Sequence, residues 1–229
     1  MGGQACVFYG AAEFSRDTDL LVLADERNLE CLKLALADLQ AKRIAVPPFS
    51  SEFLERGHAV HFRCGHPEAA DMRVDIMSKL RGVDTFSVLW ERRTTLTDAD
   101  STVYELLALT DLVQAKKKQR SKDWPMLQRL VEAHYLKHRN SAEAEQQRFW
   151  LRELRTLEFL TEAVRKWPEQ AERLSRERPL LALAQTGNLE SAIEALMAEE
   201  RTERELDRRY WQPLKTELEQ LRHATPKRE

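Results

Sequence analysis

Six of the seven glycines, Gly2, Gly3, Gly10, Gly57, Gly65 and Gly82, fall in the first 82 residues, and Gly187 alone lies beyond them. Glycine supplies the left-handed backbone that tight turns need and is disfavoured inside helices. The distribution therefore calls for a turn-rich N-terminal part and a long, almost uninterrupted helical remainder. An all-β sandwich, which needs turns along its whole length, is excluded, as is a Gly/Pro-rich disordered chain. Of the 229 residues, 42% are hydrophobic, enough to bury a core, and 32% are charged, which suits well-solvated helices.

The net charge is −2, so no global basic field points to nucleic acid. The halves differ: residues 1–115 carry 12 Lys/Arg against 18 Asp/Glu, whereas residues 116–229 carry 24 against 20. An acidic first part suits divalent cations and a basic second part suits a polyanion, although two ordinary solvated surfaces account for the charge equally well. Three cysteines, Cys6, Cys31 and Cys64, with no CxxC spacing, argue against a disulfide scaffold and for a reducing, cytoplasmic setting. No apolar run reaches the roughly 18 residues of a membrane span, and no signal-peptide layout is present, so no membrane partner is expected.

Residues 4–13 read as a short buried helix. Leu20 to Leu23 suit a central strand, with Asp17 and Asp19 at its entrance. Asn28 is the expected cap of a helix whose Leu29, Leu32, Leu36 and Leu39 share one face. Short strands are expected at Ile44–Val46, Ala59–Cys64 and Met72–Met77, and a helical turn over 51–56 stops at Gly57. From about residue 100 the period becomes helical. Thr102 and Glu105 form a capping box that would open the first helix. A helix follows Trp124-Pro125, Asn140 would cap a long helix running to Trp167-Pro168, and further helices lie at about 169–177, 180–186 and 189–222, the last interrupted near Pro213. The tail after Ala224 is expected to fray.

The chemistry gathers in the first part. Gly2-Gly3 precede a helix, Asp17-Thr18-Asp19 leads into a strand, and Asp75 sits inside the strand Met72–Met77. In a strand, positions i and i+2 face the same way, so Asp17 and Asp19 project side by side. Carboxylates that close repel unless a cation lies between them, and hard oxygens select Mg²⁺ or Mn²⁺. Asp71 competes with Asp75 as the third acid. Asp75 is preferred because it lies between Val74 and Ile76, whereas Asp71 falls in a turn. A Gly-Gly turn lets backbone N–H groups approach a phosphate.

Gly2-Gly3-Gln4-Ala5, Tyr9-Gly10, Ser15-Arg16-Asp17-Thr18-Asp19-Leu20 and Val74-Asp75-Ile76 together resemble the polymerase-β-type nucleotidyltransferase superfamily. The Gly-Gly form is similar to the AbiEii-like minimal nucleotidyltransferases of bacterial toxin–antitoxin and phage-defence loci. A second block, Leu112-Val113-Gln114-Ala115-Lys116 followed by Arg120-Ser121-Lys122-Asp123, resembles a stretch common after the catalytic core in that family. The resemblance covers roughly residues 1–130.

It implies an α/β nucleotidyltransferase core over residues 1–98, built as a small mixed sheet with helices, and an all-α helical domain over 99–229. It further implies a Mg²⁺- or Mn²⁺-dependent enzyme that moves an NMP group from an NTP, such as ATP, to an acceptor hydroxyl on a tRNA end or a protein side chain. Asp17, Asp19 and Asp75 would be the catalytic metal ligands. Gly2, Gly3 and Ser15 would contact the nucleotide, and Lys116 would neutralise triphosphate charge. A cognate antitoxin or toxin protein would be the partner. The family places a strand immediately before the glycines, where Met1 alone stands here. The expectation is either a start upstream of this methionine or an Asp-x-Asp strand left at an exposed sheet edge.

That departure favours a rival: a degenerate nucleotidyltransferase fold acting as a binding, antitoxin or regulatory protein through its helical half. A third alternative is an RNA-binding helical protein, drawn by the basic run Lys116–Lys122, which equally suits a solvated helix end. His58, His61, Cys64 and His66 crowd into nine residues. Strand alternation separates His61 from Cys64, however, so a half-buried strand is the better account than zinc. His134 and His138, and Trp150, Trp167 and Trp211, are expected to pack between helices.

Overall fold

The computed structural model describes residues 1–224; the tail expected to fray lies outside them. The chain divides into two compact units. One comprises Met1–Phe8, Ala12–Ala115 and the chain from Arg208, and the other comprises Tyr9–Ala11 and Lys116–Asp207. The architecture is mixed α/β, with a small mixed sheet early in the chain and helices dominating its later part. Among the described residues no helix is long and apolar enough to cross a membrane.

The first unit is built on four strands, β1 (Asp17–Leu21), β2 (Lys42–Arg43), β3 (Val60–Arg63) and β4 (Arg73–Met77), in the order β1-β4-β3-β2. β1 runs parallel to β4, and the remaining pairs are antiparallel. The strand expected at the centre is thus an edge strand, and β2 lies just before the apolar triplet Ile44–Val46. Alternation sorts the side chains. Val22 beyond β1, Val60 and Phe62 on β3, and Val74 and Ile76 on β4 bury on one face. There they meet Leu29 and Leu36 of α2 (Glu26–Asp38) and Leu54 of α3 (Ser51–Arg56). Burying each such side chain is worth about 1.5–3 kcal/mol, so this face fixes the register.

Local chemistry sets the helix ends. The first helix, α1 (Gly2–Phe8), begins at the glycine pair and stops before Gly10, whose φ of +75° turns the chain. Asp25, not Asn28, caps α2. Its carboxylate accepts from the Asn28 backbone N–H at 2.8 Å, while the Asn28 side chain donates to the Leu23 carbonyl. α3 ends at Gly57 as expected.

After α4 (Phe86–Glu91), the expected helix start near Thr102 is instead a hairpin, β5 (Thr94–Thr97) against β6 (Val103–Leu106). Two features override the capping-box pattern. Asp98 Oδ1 accepts the backbone N–H groups of Asp100 and Thr102, closing the turn. Glu105 is spent across the hairpin on Arg93 and Thr95 instead of capping. Helix resumes only at α5 (Leu109–Lys116).

The second unit holds α6 (Asp123–His138), α7 (Ala144–Glu153), α8 (Leu157–Lys166), α9 (Pro168–Leu174), α10 (Leu180–Thr186) and the first part of α11 (Leu189–Ala224). A capping box of Glu143 and Gln146, not Asn140, starts α7. The single long helix expected here is two, broken at Leu154 (ψ 131°). The break is held by buried Arg178, which donates to the carbonyls of Leu151 (2.8 Å) and Leu154 (2.9 Å) and pairs with Glu199. Trp150, Tyr135 and Trp167 form an aromatic core, with the two indoles stacked at 5.5 Å. Pro213 lies within α11 without ending it. Beyond it, Glu217 bonds Arg56 and His58 (2.7 Å to Nε2) at the end of α3.

Candidate functional site

The face of the sheet opposite the apolar core is charged. In register, Asp17 stands across from Arg73 and Asp19 from Asp75, and Asp75 in turn from His61 on β3. Partners in register point to the same side. Asp17, Asp19, Asp75, Arg73 and His61 therefore share one face, as the i, i+2 spacing of the two aspartates requires. Asp17 is exposed, Asp19 is half-buried and Asp75 is buried.

The glycine pair is fitted to this face. Gly2 has φ +67°, and a Cβ there would lie 1.8 Å from Asp19 Oδ2. Any other residue would displace that carboxylate. A Cβ on Gly3 would lie 2.3 Å from Ser15 Oγ. The Gly3 N–H donates to Asp19 Oδ2 at 3.3 Å, and the Met1 ammonium donates to the Asp19 carbonyl at 2.9 Å. The backbone N–H expected to face a phosphate thus holds an aspartate in this state. Ser15 Oγ donates to the Asp17 carbonyl at 3.0 Å, and Gln4 ties down the Ser15 carbonyl, so Ser15 shapes the entrance to β1.

Asp75 is held by two donors on one oxygen. Arg73 Nε and His61 Nδ1 each lie 2.8 Å from Oδ1. Burial pushes the Asp75 pKa up, but the hydrogen bonds from His61 and Arg73 outweigh it and hold the carboxyl below its ordinary range. The hydrogen bond to Asp75 raises the Arg73 pKa, with the charges of Asp75, Asp17 and Asp19 acting in the same direction.

The donor set is of the kind a hard divalent cation takes: Asp17 and Asp19 lie two residues apart on β1, and Asp75 lies in register with Asp19 on β4, neighbouring strands being about 4.8 Å apart. The third carboxylate is already committed through Oδ1. Among the described residues no three or more His, Cys, Asp or Glu side chains close around a common point as a metal cage. Lys116 ends α5 and belongs to the second unit, whereas the three aspartates belong to the first. The basic run around it makes internal contacts: Lys117 pairs with Glu153 at 2.9 Å and Arg120 with Asp123 at 2.7 Å.

The histidine-rich segment scatters its side chains. His58 bonds Glu217, His61 bonds Asp75, Cys64 is buried in the apolar core, and His66 accepts from the Glu68 N–H. Sequence reasoning missed Arg73 and His61 as members of the charged face. Arg73 was visible through its i, i+2 relation to Asp75, whereas His61 needed the β3–β4 register. In comparisons with known proteins, no family model and no curated protein matches this chain.

Proposed function

We propose that the charged sheet face is the ion and triphosphate site of a minimal nucleotidyltransferase of polymerase-β type, which moves an NMP group from an NTP to an acceptor hydroxyl. The observation that carries this is the register of Asp19 against Asp75 on parallel neighbours, with Asp17 on the same face and Gly2 fitted against the Asp19 carboxylate. Asp17 and Asp19 would hold Mg²⁺ or Mn²⁺, with Asp75 as the third acid. When bound, the ion supplies positive charge to the triphosphate and the departing pyrophosphate.

The chain's own residues do the rest. Gly3 N–H holds the Asp19 carboxylate. Ser15 sets the backbone at Asp17. Asp75, kept ionised by Arg73 and His61, would stand as the third carboxylate toward the ion. Lys116 is proposed to add positive charge at the triphosphate. The acceptor class proposed is a tRNA end or a protein side chain, in a cytoplasmic toxin–antitoxin or defence setting with a cognate protein partner.

One observation favours a rival. Asp75 is tied to Arg73 and His61, as in a fold that keeps its carboxylates for structure and acts only by binding. The two are separated by incubating the protein with Mg²⁺, α-labelled NTPs and cell extract. Label transfer lost in Asp17→Ala/Asp19→Ala supports the enzyme; no transfer by the wild type supports the binding protein.

A further inference from the structure

The inference rests on the ion site proposed above and concerns how that site is loaded. Asp75 Oδ1 receives Arg73 Nε and His61 Nδ1, each at 2.8 Å. A carboxylate only accepts, so His61 must carry its proton on Nδ1. The 3.1 Å approach of Arg73 Nη2 to that same nitrogen is then a contact between two donors, and the shared acceptor is what holds both side chains in place. Arg73 stands opposite Asp17 in the register. The charges of Asp17 and Asp19, with that of Asp75, stabilise its guanidinium. Arg63, the other cation of β3 and β4 on this face, lies beside Asp71 at 3.8 Å.

Arg73 therefore stands as the resident cation among the three acids. Asp75 is also nearly closed to solvent, its side chain 12% exposed. An approaching ion cannot use Oδ1 while both donors remain on it.

We propose that Arg73 and His61 form a latch on Asp75, so that a divalent ion and the Arg73 guanidinium compete for the same carboxylate. The exposed Asp17 and its neighbour Asp19 take the ion first. Asp75 gives Oδ1 to the ion only when Arg73 lets go. A guanidinium released opposite Asp17 needs a new anionic partner, and a phosphate group matches its planar fork. Full assembly of the ion site is thereby made conditional on the arrival of a phosphate-bearing substrate.

The test is calorimetric titration of Mn²⁺ into the full chain without nucleotide, with circular dichroism to verify folding. Arg73→Gln should bind Mn²⁺ about tenfold more tightly than wild type, the worth of one charge-assisted hydrogen bond. Arg73→Lys, which keeps the competing cation, should stay close to wild type. Asp75→Asn, which removes a carboxylate that the latch already withholds, should bind no more tightly than wild type, and in the double variant Arg73→Gln/Asp75→Asn the gain should vanish. An Arg73→Gln affinity equal to or below wild type overturns the latch, as does a gain that survives Asp75→Asn. No Mn²⁺ binding by either wild type or Arg73→Gln removes the ion site itself, and the latch with it.

Discussion

Protonation of His134 sets a pH limit on the helical unit. Trp150 Nε1 donates to His134 Nδ1 at 3.0 Å, so that nitrogen must present a lone pair and the ring must be neutral, with its proton on Nε2. Burial, and then the charges of His138 and Lys137, push the His134 pKa down from 6.5 to about 4. The unfolded chain accepts the proton near the ordinary value and the folded chain resists it. The associated stability is therefore complete above 6.5 and falls away as pH drops toward 4.

The gap corresponds to about 3 kcal/mol at most. Because His134 is only half-buried, solvent screening reduces the expectation to about 1–2 kcal/mol. His134→Asn keeps an acceptor for the Trp150 N–H and removes the titration. Urea unfolding followed by tryptophan fluorescence between pH 7 and about pH 4.5 should show wild type losing about 1–2 kcal/mol more than the variant. Parallel losses in the two proteins would refute the argument.

Two further substitutions test packing and backbone. Arg178→Met should cost about 3–5 kcal/mol, because it strips the donors from the Leu151 and Leu154 carbonyls and leaves Glu199 without its closest cation; a change under about 1 kcal/mol in urea unfolding would contradict its role at the helix break. Gly2→Ala must adopt φ +67° and push aside the Asp19 carboxylate, so it should lower stability by about 1–2 kcal/mol and weaken Mn²⁺ binding. Wild-type Mn²⁺ affinity in a folded Gly2→Ala protein would show that the glycine does not set Asp19.

Apolar alternation made much of the fold legible. Val74 and Ile76, and Val60 and Phe62, marked two strands and their buried face, and Leu29, Leu32, Leu36 and Leu39 marked the face of α2. What failed were short polar signals with two uses. Thr102 and Glu105 have the spacing of a capping box, but Asp98 closes a turn with the Thr102 N–H and Glu105 faces Arg93 across the hairpin. The break between α7 and α8 depends on Arg178, more than 20 residues away in sequence, so no local pattern announces it. At the candidate site, the spacing of Asp17 and Asp19 and the strand position of Asp75 are local facts. The partnership of Asp75 with His61 is a long-range register that one sequence does not encode visibly.

The central claim is that three aspartates on one sheet face support nucleotidyl transfer. Its most direct test is the amount of α-labelled nucleotide that the purified protein attaches covalently to an acceptor from cell extract in the presence of Mg²⁺. The wild-type protein should transfer label in a reaction that chelation of the ion abolishes. Folded Asp17→Ala/Asp19→Ala protein should fall to background. No transfer by wild type with any of the four NTPs, or equal transfer by the variant, would contradict the account.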